Sequence, residues 1–125
     1  MGDIQVNKAI RIASYNCRGL RNPAVISLLD HYDLILLQET LLTKQDIVAL
    51  NSLSRDVQGA GVSSTDASKG IIIGRPSGGI GFLWRKTIGH LITELDYDFD
   101  WLSGVSLTLP NGLKYFIFNT YMPLQ

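Results

Sequence analysis

The chain has 125 residues, enough for one domain with a modest core. It is 46% hydrophobic and 18% charged, which excludes a disordered chain. Eleven basic residues balance eleven acidic ones, so no global positive charge points to a nucleic acid, although a site can still attract phosphate locally.

Cys17 is the single cysteine, so neither an intramolecular disulfide nor a cysteine-based zinc site can be built. The first residues, MGDIQVNKAIRIAS, lack the basic stretch and apolar core of a signal peptide, and residues 1–8 are expected to be a flexible lead-in. No apolar run reaches membrane-spanning length. The expectation is a soluble, intracellular protein that does not engage a membrane.

AIRIASYN, residues 9–16, alternates with period two and predicts a strand, with Ile10, Ile12 and Ser14 on one face and Arg11, Ala13 and Tyr15 on the other. Gly19 and Asn22 interrupt it. Asn22-Pro23 predicts a helix start, with Asn as cap and Pro in the first turn. Val25, Ile26, Leu28 and Leu29 supply that helix's apolar face, and it is expected to end near His31. DLILLQET, residues 33–40, holds an unbroken apolar run, the pattern of a strand covered on both faces and usually parallel to its neighbour.

Thr43 and Asp46 have the spacing of a capping box for a second helix, with Ile47, Leu50, Leu53 and Val57 as its inward stripe. GAGVSSTDASKG reads as a weak strand and then a loop. GIGFLWRK reads as a strand and HLITELDY as another. WLSGVSLTLP and LKYFIFNTYM predict a hairpin around Pro110-Asn111-Gly112. In its second arm Tyr115, Ile117, Asn119 and Tyr121 share one face, and Phe116, Phe118 and Thr120 the other.

If the first two strands are parallel, their carboxyl ends lie on one rim of the sheet, where open α/β sheets bind ligands. Asn16 ends the first strand, and Gln38 and Glu39 end the second. An amide beside a carboxylate suits a hard cation such as magnesium. The plainer explanation is that Asn16 caps a turn and Glu39 pairs with an Arg or Lys, and spacing alone favours it. Other motifs fail. GRPSGGIG lacks the Lys-Ser/Thr ending of a phosphate-binding loop, and His31 and His90 have no partner at metal-binding spacing.

Four segments, in order, resemble the endonuclease/exonuclease/phosphatase superfamily: IASYNCRGL at 12–20, DLILLQET at 33–40, GRPSGGIGFLWRK at 74–86 and FIFNTYMP at 116–123. Within it the wording is similar to the endonuclease domain of non-LTR retrotransposons. The resemblance implies an α/β fold, a four-layer sandwich of two packed sheets with helices outside, of which residues 1–125 would form roughly the first half.

It also implies a magnesium- or manganese-dependent phosphodiesterase acting on DNA. Glu39 would be the metal ligand, with Asn16 beside it at the metal and orienting the metal-bound phosphate, and Tyr121 would contact the phosphate or stabilise developing charge. Gly78, Gly79 and Gly81 would be structural. The family's Gly-Asp-Phe-Asn string and late Asp-His pair, which lie beyond its Tyr-x-Pro motif, have no counterpart in this sequence. An arginine that many relatives carry before the last hairpin is replaced here by Trp101. The expectation is therefore a truncated domain with little or no activity, and with an uncovered apolar sheet face able to associate.

Overall fold

The structure, a computed structural model, describes residues 9–64, 78–97 and 99–121. Among the described residues, seven strands form two sheets. β1 (Ile12–Asn16), β2 (Leu34–Gln38), β3 (Val57–Val62) and β4 (Ile80–Arg85) make the first, in the order β1-β2-β4-β3. β5 (Ile92–Leu95), β6 (Leu102–Thr108) and β7 (Lys114–Thr120) make the second, in that order. The expected N-terminal lead-in, most of the loop after β3, and Gly74–Ser77 of the GRPSGG string lie outside the described residues.

β1 and β2 are parallel, with Ile12 opposite Leu34 and Asn16 opposite Gln38. The helix between them, α1, spans Pro23–Leu29. Asn22 caps it by accepting from the Ala24 N–H, and Pro23 opens the first turn, where a missing N–H costs nothing. It ends at Leu29, short of His31. Only Val25 and Leu29, one turn apart, are buried, and Ile26 points into solvent.

β2 is buried along its apolar length because β4 pairs antiparallel with its other edge and both faces are covered. On one face Ile35 and Leu37 join Val25, Leu29, Leu50 and Leu83 under the helices. On the other, Leu34 and Leu36 meet Phe82, Trp84 and Val105 between the sheets. The described layers are thus helices, first sheet and second sheet.

Two expectations need correction. The second helix is a 3₁₀ helix, Lys44–Asn51, whose buried residue is Leu50. Thr43 and Asp46 do form its cap. Val57 is no part of its stripe but opens β3, because the chain breaks at Ser52 and three glycines (Gly59, Gly61 and Gly81) let the sheet close directly onto Leu50. In β1, Ala13 and Tyr15 face the helices and are partly covered, while Ile12 is 43% exposed. Ile12 faces the side of the second sheet, which stops at β7. β7 lies over β2 and β4, leaving the β1 strand beyond its edge.

The hairpin forms as read. Gly112 adopts φ +90°, and its N–H donates to the Leu109 carbonyl. Phe116 and Phe118 face outward, and Ile117 and Asn119 face the first sheet. Among the described residues no helix is long and apolar enough to cross a membrane.

Candidate active site at the strand rim

The parallel register brings Asn16 and Gln38 level, and the loop after β1 is tied to the end of β2 by main-chain bonds. Cys17 N–H donates to the Gln38 carbonyl at 3.0 Å, Gly19 N–H to that of Glu39 at 2.7 Å, and Leu20 N–H to that of Thr40 at 3.0 Å. Both strand ends therefore sit on one rim.

In a regular strand Glu39 would point away from the face that carries Gln38. It does not, because Glu39 adopts φ +55°, a left-handed conformation uncommon for a residue with a Cβ. Alternation stops there, and the Glu39 side chain reaches toward the second sheet. Neighbouring bonds hold the turn: Thr40 N–H donates to the Gly79 carbonyl and Leu41 N–H to that of Gly78. Gly79 is required, since its φ is +87° and a Cβ there would lie 2.4 Å from Thr40 Oγ1. Gly81 allows close strand approach, whereas Gly78 serves by its φ of +69°.

Tyr121, just past β7, meets Glu39 from the other sheet. Its hydroxyl donates to Glu39 Oε1 at 2.7 Å. The phenol consequently holds its proton above its ordinary value, chiefly because it donates to that carboxylate. Among the described residues, the partner of Glu39 is thus a tyrosine and not an Arg or Lys. Asn16 is exposed, and its Oδ1 accepts from the Arg18 N–H at 3.3 Å, the turn-capping role that spacing suggested. Trp101 stands directly before β6, where its carbonyl accepts from the Tyr121 N–H and its ring stacks near Phe99 at 5.0 Å.

An amide pair beside the site, Asn119 buried and Gln38 only partly so, went unassigned in the sequence. Gln38 Nε2 donates to Asn119 Oδ1 at 2.9 Å and to Ser14 Oγ at 3.1 Å, and Asn119 Nδ2 donates to the carbonyls of Leu37 and Gly81, both at 2.9 Å. The one signal was the period-two spacing of Asn119 and Tyr121 in the last predicted strand.

The donors at the rim are all oxygen: one carboxylate, one amide and one phenol. Among the described residues no group of three or more His, Cys, Asp or Glu gathers to hold a metal. This set fits a magnesium-like ion that keeps most of its water, not zinc or caged calcium. Cys17 is buried against the same loop, and burial pushes its thiol above the ordinary value.

Comparison with known proteins agrees with this fold. The Endonuclease/Exonuclease/phosphatase family pattern matches residues 13–122. No curated protein matches the chain. Among solved structures, the 3′ phosphatase NExo from Neisseria, bound to a product DNA hairpin, superposes with a TM-score of 0.56 at 17% identity. The match covers 90% of this chain and 41% of that one, so this chain spans less than half of the protein it resembles. With its motifs in order along two packed sheets and the family pattern running from β1 past β7, the chain belongs to the Endonuclease/Exonuclease/phosphatase family.

Proposed function

We propose that the chain is the N-terminal part of a metal-dependent phosphodiesterase domain, of the DNA-cutting kind found in non-LTR retrotransposons, and that it is inactive by itself. The observation that carries this is the 2.7 Å bond from Tyr121 to Glu39, which joins two motif residues from different sheets at the rim where Asn16 ends β1. Glu39 is the ligand for magnesium or manganese, and Asn16 orients the phosphate beside it. Tyr121 donates its O–H to Glu39 before substrate arrives, and a non-bridging phosphate oxygen can take that donor as charge builds on it. When bound, the cation supplies charge neutralisation and a more acidic water.

Inactivity follows from what this set lacks. No general base is assigned, and such a group contributes about 10²–10⁴-fold. DNA as the substrate, and a nuclear site of action, belong to this reading. The neighbour with the DNA hairpin is consistent with a nucleic-acid ligand and keeps a phosphatase-like activity as the variant within the family.

Two polypeptides test it: the 125-residue chain, and the same chain continued by the C-terminal half of a family domain. The longer one is expected to nick supercoiled plasmid with magnesium, and Glu39→Ala to reduce this by at least about 100-fold. The shorter one is expected not to nick. A folded longer polypeptide that cuts equally well with Glu39→Ala refutes the assignment.

A second reading, a non-catalytic interaction module, rests on the uncovered face. Ile12, Phe116 and Phe118 are exposed apolar residues on two strands that are sheet edges among the described residues. A monomer at high concentration, with no self-association by light scattering, counts against it.

A further inference from the structure

The contact between the two sheets is mostly apolar, and apolar contact is non-directional. Leu34, Leu36, Phe82, Trp84 and Val105 resist separation of the sheets far better than they resist sliding. Yet the site needs a defined slide, because Tyr121 belongs to one sheet and Glu39 to the other. One residue of strand advances about 3.3 Å, more than the whole Tyr121–Glu39 hydrogen bond.

A directional element stands next to that bond. Asn119 is 1% exposed and uses both N–H donors on main-chain carbonyls of different strands, Leu37 in β2 and Gly81 in β4. Its Oδ1 accepts from Gln38, which also donates to Ser14 of β1. The network links β1, β2 and β4 to β7, and among the described residues no buried side-chain N or O lacks a partner. Asn119 lies two positions before Tyr121, and Gln38 directly precedes Glu39. Glu39 and Tyr121 thus each have a clamp residue as a near neighbour in sequence.

We infer that Asn119 and Gln38 are positioning residues: they lock the second sheet over the first in the one alignment that sets the Tyr121 hydroxyl on Glu39. This rests on the reading of that pair as the site, but its test uses geometry and no catalysis, so a failed nicking assay leaves it standing.

The test is NMR on the labelled 125-residue chain. The wild type is expected to show cross-peaks between the Tyr121 ring and the Glu39 methylenes. Its Asn119 side-chain amide should exchange at least about 100-fold more slowly than that of Asn111 in the exposed turn. Asn119→Ser is expected to abolish the Tyr121–Glu39 cross-peaks while the β1–β2 and β6–β7 cross-strand peaks persist. Gln38→Met, a partly exposed position, is expected to weaken them severalfold. Wild-type cross-peaks in folded Asn119→Ser overturn the inference. If that variant does not fold, wild-type cross-peaks in Gln38→Met do so. Exchange of the Asn119 amide as fast as that of Asn111 overturns it in the wild type alone.

Discussion

Leu50 is the place where the helix layer is fastened to the first sheet, and truncating it should be costly in a way that can be partly reversed. The side chain is fully buried, and it lies over the backbones of Gly59, Gly61 and Gly81. Leu50→Ala removes three carbons. Glycines have no side chains to swing into the space, and paired strands cannot collapse individually, so the cavity persists. That places the loss in the upper part of the usual range, about 3–5 kcal/mol, against a total stability of order 5–15 kcal/mol.

A methyl group at Gly81 would lie 3.1 Å from Leu50 Cδ1, 3.4 Å from its Cδ2 and 3.2 Å from the Ala60 carbonyl. Gly81→Ala is therefore expected to cost about 1–2 kcal/mol by overpacking in the wild type. In the Leu50→Ala background two of those three contacts disappear and the methyl group fills part of the hole. The double variant should then be more stable than the sum of the singles by about 1–2 kcal/mol. The Ala60 carbonyl keeps the recovery partial. Urea unfolding followed by tryptophan fluorescence reads all four corners of the cycle. Strict additivity, or a Leu50→Ala loss below about 1 kcal/mol, refutes this account of the packing.

Cys17 supplies a pH prediction. Burial is the main cause of its raised pKa, and the Glu39 carboxylate adds to it. A raised folded value means the native state holds the proton more tightly than the unfolded chain. That stability is whole below the unfolded value and is lost as pH rises through the folded one. Urea midpoints are expected to fall in the alkaline range, with a shallower slope in Cys17→Ala, and the native thiol should react slowly with a disulfide reagent. Equal slopes, or a thiol as reactive as in denaturant, contradict this. Thr43→Ala removes the cap of the 3₁₀ helix, in which Thr43 Oγ1 accepts from the Asp46 N–H and donates to Asp46 Oδ2. The expected loss is about 1 kcal/mol, read by the same unfolding assay, and no change there would show that the helix is held by Leu50 alone.

Much was legible before the structure because it depends on neighbours in sequence. The Asn22-Pro23 start of α1, the Thr43 cap, the buried run of β2 and the turn at Gly112 are each decided within a few residues. Four ordered segments also sufficed to name the family. What local pattern left open or got wrong has a common cause. Alternation puts Ile12 on one face of its strand, but whether that face is covered depends on how far the second sheet extends. Val57 carries helical spacing, but the sheet beneath Leu50 claimed it as a strand.

The rim residues divide the same way. Local pattern alone determined that Asn16 and Glu39 would close two adjacent strands, because apolar runs of that length and turn residues at those positions leave little choice. Period-two alternation, however, turns Glu39 away from Gln38. Only the tertiary structure decided otherwise: a left-handed turn, held by carbonyls of Gly78 and Gly79, redirects the carboxylate toward Tyr121, 82 residues away. Such a contact depends on the stacking and slide of two sheets, and no window of neighbouring residues encodes that offset.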